Sequence, residues 1–103
     1  MRTFKNYTPH TITLNDGRNF ESEGVARVSA SFTTPDADGV YTQTFGEVTD
    51  LPKEEEGILY IVSALVLTAA KAAGRTDCVA PATGHPECVR KEGFIVSVPG
   101  FVR

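Results

Sequence analysis

Apolar and polar residues alternate over short stretches of this chain, and a repeat of two is the mark of half-buried β-strands. From Thr11 to Leu14, His10, Ile12 and Leu14 share one face, while Thr11 and Thr13 share the other. Asn15-Asp16-Gly17 follows, a strong hairpin signal, because glycine accepts the positive φ that the turn requires. A short return strand is expected at Asn19–Ser22, ending at Gly24. Alternation resumes from Val25 to Phe32. Ala26, Val28, Ala30 and Phe32 should face inward there, and Arg27, Ser29 and Ser31 outward. Pro35 to Gly39 has turn chemistry. Val40 to Val48, rich in β-branched and aromatic residues, should return antiparallel, and Gly46 within it suggests a bulge.

The pattern then changes. Leu51-Pro52 and Lys53 to Gly57 form a charged connection. Ile58 to Val62 is apolar at every position, as expected of a central strand covered on both faces. Ser63 can cap a helix from Ala64 to Ala73, which Gly74 stops. Its only polar residues are Thr68 and Lys71, so most of its circumference should be covered. Short strands follow at Cys78–Ala80 and Cys88–Arg90, separated by the loop Pro81 to Pro86. After a turn near Lys91 to Gly93 comes a last strand, Phe94–Val98. Pro99-Gly100 breaks it, and Phe101-Val102-Arg103 closes the chain. This order of elements is α+β: a small twisted, mainly antiparallel sheet or partial barrel with one helix packed on it.

The length of 103 residues suits one domain. With 41% hydrophobic and 22% charged residues, the chain has the composition of a folded domain rather than a disordered one. A net charge of -3 argues against binding long nucleic acids, whose phosphates demand many lysines and arginines. The charge is uneven. Asp36, Asp38, Glu47, Asp50 and Glu54 to Glu56 make the middle acidic, and Arg75, Arg90, Lys91 and Arg103 make the last third basic. The first residues are polar and form no apolar leader segment, and the apolar run Ile58 to Leu67 is too short to span a bilayer. With only Cys78 and Cys88, the expectation is a cytoplasmic protein with reduced thiols and no contact with membranes.

The blocks Asn6-Tyr7-Thr8-Pro9-His10-Thr11-Ile12, Gly46-Glu47-Val48 with Leu51-Pro52, Tyr60 to Val66, Gly74-Arg75-Thr76-Asp77 and Val89-Arg90 resemble a family of small accessory proteins of phage and prophage genomes. The likeness covers nearly the whole chain, with departures at Tyr7 and in the loop Thr83 to Glu87. It implies a phage accessory protein in the bacterial cytoplasm and brings no catalytic assignment with it.

An anion pocket is the first candidate site. Arg75, Arg90 and Arg103 offer planar donor forks suited to phosphate. Thr83-Gly84 can present loop N–H groups, and Ser63 opens a helix whose N-terminus carries partial positive charge. Tyr60 or Phe101 could stack a base. His10 is either a hydrogen-bonded structural residue or a ligand contact at the mouth of the sheet. Cys78, His85 and Cys88 lack the close pairs of a structural zinc site, so no metal is expected. No nucleophile motif surrounds Ser63, and Glu54 to Glu56 read as a solvated run, so no catalytic site and no cofactor are expected. The sequence thus favours a non-enzymatic protein that sequesters a small anionic ligand, such as a nucleotide immune signal. The largely apolar helix favours a homodimer or higher homo-oligomer. The competing reading is a host-takeover protein that docks on a bacterial protein through Glu47 to Glu56 or a sheet edge.

Overall fold

The computed structural model describes residues 3–103, the side chains of Ala30 and Phe45 excepted. Its centre is a four-stranded sheet. The strands are β1 (Thr3–Asn6), β6 (Ile58–Ile61), β7 (Cys78–Pro81) and β10 (Phe101–Val102), in that spatial order. β1 and β6 are parallel, as are β6 and β7, while β10 runs antiparallel to β7. Three hairpins surround this sheet: β2 (Ile12–Thr13) with β3 (Asn19–Phe20), β4 (Arg27–Phe32) with β5 (Gln43–Thr49), and β8 (Val89–Lys91) with β9 (Phe94–Ser97). One helix, α1 (Ala64–Ala72), crosses from β6 to β7. The class is α+β and most strand pairs are antiparallel, but the central sheet is built on parallel pairs. A crossover helix is what allows two consecutive strands to run parallel.

The apolar run Ile58 to Val62 forms the middle of the molecule, as its composition requires. Tyr60 and Val62 point to the helix and pack with Val66, Leu67, Ala70, Cys78 and Ala80. Leu59 and Ile61 point the other way and pack with Val79 under Phe4, Ile12, Phe20 and Phe101. Tyr60, Ile61 and Val62 are at most 1% exposed. The sequence pattern did not reveal β1 or β10. Each is short and has too few apolar residues to show a period, and each strand exists because a buried neighbour has an edge to pair.

Caps define the helix. Ser63 Oγ accepts a hydrogen bond from Val66 N at 3.3 Å. At the other end Gly74, at φ +89°, donates to Lys71 O, and Arg75 N donates to Ala70 O. This left-handed exit satisfies carbonyls that the helix leaves free. The expected covering of most of the circumference of α1 is not found. Val66, Leu67 and Ala70 are buried, whereas Leu65 is half exposed and Ala64, Thr68, Lys71 and Ala72 face outward. A single sheet can cover only one stripe of a helix.

The β4–β5 hairpin behaves as an arm. Ala26 is buried and Val28 and Val48 reach the core, but every described side chain from Ser29 to Glu47 is exposed. Phe32, expected to face inward, is 64% exposed, and the placement expected for Ala30 lies outside the described side chains. The register shifts between Val28 and Ala30, opposite Gly46, where a Cβ would collide with the Ser29 hydroxyl. The arm makes the molecule long, at 51 × 37 × 20 Å with a radius of gyration of 15.6 Å. A compact chain of this size would be near 13 Å. Among the described residues no helix is long and apolar enough to cross a membrane.

Candidate functional site

The three parallel strands end on the same side of the sheet, and several of the chemically interesting residues follow those ends. His10 lies beyond β1, Ser63 beyond β6, and Thr83 and Gly84 beyond β7. In sheets with parallel strands, ligands gather at this carboxyl edge.

The loop after β1 is held by a buried polar group. Asn6 is 1% exposed, and its Nδ2 donates to the carbonyls of His10 and Phe20 at 2.7 and 2.8 Å. Its Oδ1 accepts from the amide and the hydroxyl of Thr8, at 2.9 and 2.6 Å. The Thr8 hydroxyl lies 2.9 Å from the His10 carbonyl. The backbone at His10 is thus fixed from two sides while its side chain stays exposed. The loop after β7 is joined to the C-terminal hairpin. Arg90 Nη2 donates to Thr83 O at 2.6 Å, and Asn15 Nδ2 donates to Glu87 O at 2.8 Å. Asn15 also receives the Ser97 hydroxyl at 2.6 Å, and Val98 N donates to Thr13 O at 2.9 Å. The turn of the first hairpin therefore ties the last hairpin against it.

Between these elements lies a hollow of about 250 Å³, lined by His10, Ile12, Pro81, Thr83, Ile95 and Val96 among others. Its walls are mainly apolar, with the His10 ring and Thr83 at the margin. Arg90 stands opposite Ile95 in the β8–β9 register, so the two side chains share a face. His10 and Thr83 thus line one hollow, and Arg90 is tied to Thr83 through its carbonyl.

Other candidates are placed elsewhere. Arg75 precedes β7 and Thr83 follows it, which separates them by about 20 Å of extended chain. Arg75 is committed to the fold: its Nε and Nη2 donate to the two carboxylate oxygens of Asp77 at 2.9 and 2.8 Å, and Nη2 also donates to Pro52 O at 2.9 Å. Its guanidinium lies 5.9 Å from the Tyr60 ring centre, and Glu54 is 3.4 Å from its Nε. Burial works to raise the Asp77 carboxyl, but the hydrogen bonds and charge of Arg75 prevail and hold it below its ordinary value. Hydrogen bonding to Asp77 in turn raises Arg75. Arg103 follows β10, which runs back along β7 away from Thr83. The three arginines do not meet, and a pocket built on all of them does not exist in this fold.

Of the aromatic candidates, Tyr60 is corrected. Tyr60 is buried, so it offers no face to a base, and its hydroxyl donates to Lys53 O at 3.3 Å. Phe101 packs on Phe4 and Phe20, at ring distances of 5.0 and 5.8 Å. The Thr83 amide donates to Pro81 O, which leaves the Thr83 hydroxyl and not its N–H for a ligand. Cys78 is buried, and burial together with the Asp77 charge pushes its thiol up to about 11, while Cys88 is half-buried. Among the described residues no three His, Cys, Asp or Glu side chains cluster as metal ligands would. The sequence pointed to none of Ile95, Val96 or Asn6 as site residues. The first two read simply as strand, but Asn6 two residues before Thr8 is a recognisable side-chain turn signal.

No family model, no curated protein and no solved structure matches this chain.

Proposed function

We propose that this chain is a non-enzymatic phage accessory protein that captures a small anionic ligand in the bacterial cytoplasm, with a nucleotide immune signal as the sharpest version. The phage and cytoplasmic parts rest on the sequence resemblance. The observation that carries the binding reading is a hollow lined by His10 and Thr83 at the carboxyl edge of the parallel strands, with Arg90 held to the Thr83 carbonyl. In this reading Arg90 and the Thr83 hydroxyl meet the anion, His10 adds a polar contact, and Ile95 and Val96 take the apolar part of the ligand. This reading takes the hairpins β2–β3 and β8–β9, bridged at Leu14 and Val98, as one wall of the proposed partial barrel.

At about 250 Å³ the hollow falls below the usual range for drug-sized ligands, about 300–1,000 Å³. A second copy completing it fits that size. The competing reading, docking on a host protein, is supported by the exposed apolar arm; the acidic side chains from Glu47 to Glu56 are exposed as well, Glu54 beside Arg75.

Thermal melting against cyclic dinucleotides, cyclic trinucleotides and ADP-ribose derivatives tests the proposal. A ligand at a hundred times its dissociation constant should add about 2.7 kcal/mol, a rise of roughly 10 °C or more. The rise should vanish in Arg90→Ala and persist in Lys53→Ala. No response to any member, with a host protein recovered by pull-down, would replace ligand capture with docking. Recovery of a chemically altered ligand would show an enzyme.

A further inference from the structure

Two hairpins of this molecule leave large apolar side chains in water. At the tip of the β4–β5 arm Phe32, Val40 and Tyr41 are 64%, 60% and 56% exposed. Phe32 and Tyr41 pack edge to face at 6.4 Å, so they form one patch. The tip is ordered by its own bonds. Asp36 Oδ1 accepts from the amides of Asp38 and Val40 at 2.9 and 3.0 Å, and Thr33 N donates to Thr42 O at 2.9 Å. In the β8–β9 hairpin Phe94 is 76% exposed and Val96 is 51% exposed. Two-stranded ribbons are marginal in water unless another surface covers a face. Exposed apolar side chains gathered in one patch are a mark of interaction surfaces.

The charges of the two patches are complementary. From Val28 to Pro52 the chain carries Asp36, Asp38, Glu47 and Asp50 and no lysine or arginine. The β8–β9 hairpin carries Arg90 and Lys91 against Glu92 alone. Lys91 stands opposite Phe94 in the register, so a cation lies beside the most exposed aromatic. At the arm tip Asp36 and Asp38 lie in the loop between Phe32 and Tyr41. The occupant that supplies both the apolar patch and the opposite charge is a second copy of this chain.

We infer that the β4–β5 arm of one copy docks on the β8–β9 hairpin of another, Phe32 and Tyr41 against Phe94 and Val96, with Asp36 and Asp38 beside Lys91. In a two-fold dimer the contact is made twice, once by each arm. Val96 lines the candidate hollow, so the incoming arm stands at its rim and helps to close it. That last consequence rests on the proposed ligand site; the interface does not.

Sedimentation of the purified full chain tests the interface without any ligand. Wild type should assemble at micromolar concentration. Phe32→Ser with Tyr41→Ser should raise the dissociation constant about 100-fold, since aromatic anchors at an interface cost tenfold or more apiece. Both side chains are exposed in the single copy, so the variant should fold, and its circular dichroism checks this. A charge exchange tests the pairing. Chains with Asp36→Lys and Asp38→Lys, or with Lys91→Glu, should each self-associate less, and mixing them should restore assembly. A monomeric wild type, an assembly indifferent to the arm, or a mixture that fails to recover would overturn the inference. Where a melting ligand has been found, the arm variant should bind it at least tenfold more weakly. Equal binding would remove only the rim contribution.

Discussion

At the residue scale, two buried polar side chains pin particular segments of this fold. Asp77 and Asn6 are both polar and both buried, yet each has its hydrogen bonds made, as burial of a polar group demands. Asp77 has a further consequence for pH. Its folded carboxyl lies below its ordinary value, so the stabilisation is present above about pH 4, where the unfolded carboxyl is already charged. It is lost as pH falls through the folded value. Asp77→Asn keeps an acceptor but loses the charge, and should cost about 1–3 kcal/mol at pH 7. Its stability should then decline less steeply than that of wild type on acidification. Melting curves between neutral pH and about pH 2.5 would check this. Parallel acid limbs would mean that Arg75 contributes nothing through charge.

At the scale of elements, the ends of the helix were readable because capping is local chemistry. Ser63 and Gly74 act on backbone groups within a turn of themselves, and the structure uses both as the residue types suggest. Gly74 sits at φ +89° with open space where a Cβ would be. Gly74→Ala should therefore cost only the left-handed backbone energy, about 1–2 kcal/mol. Gly100→Ala, also in open space but without the positive φ, should be nearly neutral. Neither site is crowded, so denaturant unfolding of the two variants isolates the conformational strain at Gly74, and equal losses would refute it. The hairpins were legible for the same local reason, through Gly17 in the first turn and the Gly46 bulge in the arm. The covering of α1 was misjudged. A run of alanines and leucines shows that a helix tolerates burial, but not how much surface lies nearby to bury it.

At the scale of the whole molecule, a compact core carries a projecting arm. Among the described side chains, none of the arm's beyond Val28 and Val48 is buried in the core. Replacing Thr33–Thr42 with Asn-Gly should change unfolding free energy by less than about 1 kcal/mol when measured on single copies, because a shorter closed loop costs slightly less entropy. Thermal melting at high dilution is the check. Collapse of the fold would show that the arm is part of the core after all. The same architecture explains why the arginines part company. Strand β7 stands between Arg75 and Thr83, and antiparallel β10 carries Arg103 back along it.

By itself the sequence determined what depends on neighbours in the chain: the α+β class, the caps of α1, the hairpin turns, the bulge, and the central place of Ile58 to Val62. Each follows from local backbone preference or from an unbroken apolar run that water excludes. Only the tertiary structure decided that β1 and β6 run parallel, that Arg75 is spent on Asp77, that Tyr60 is buried, and that His10, Thr83 and Arg90 share an edge. These depend on which strands pair and in which direction. Strand pairing joins residues far apart in the chain, and no local preference encodes such a choice.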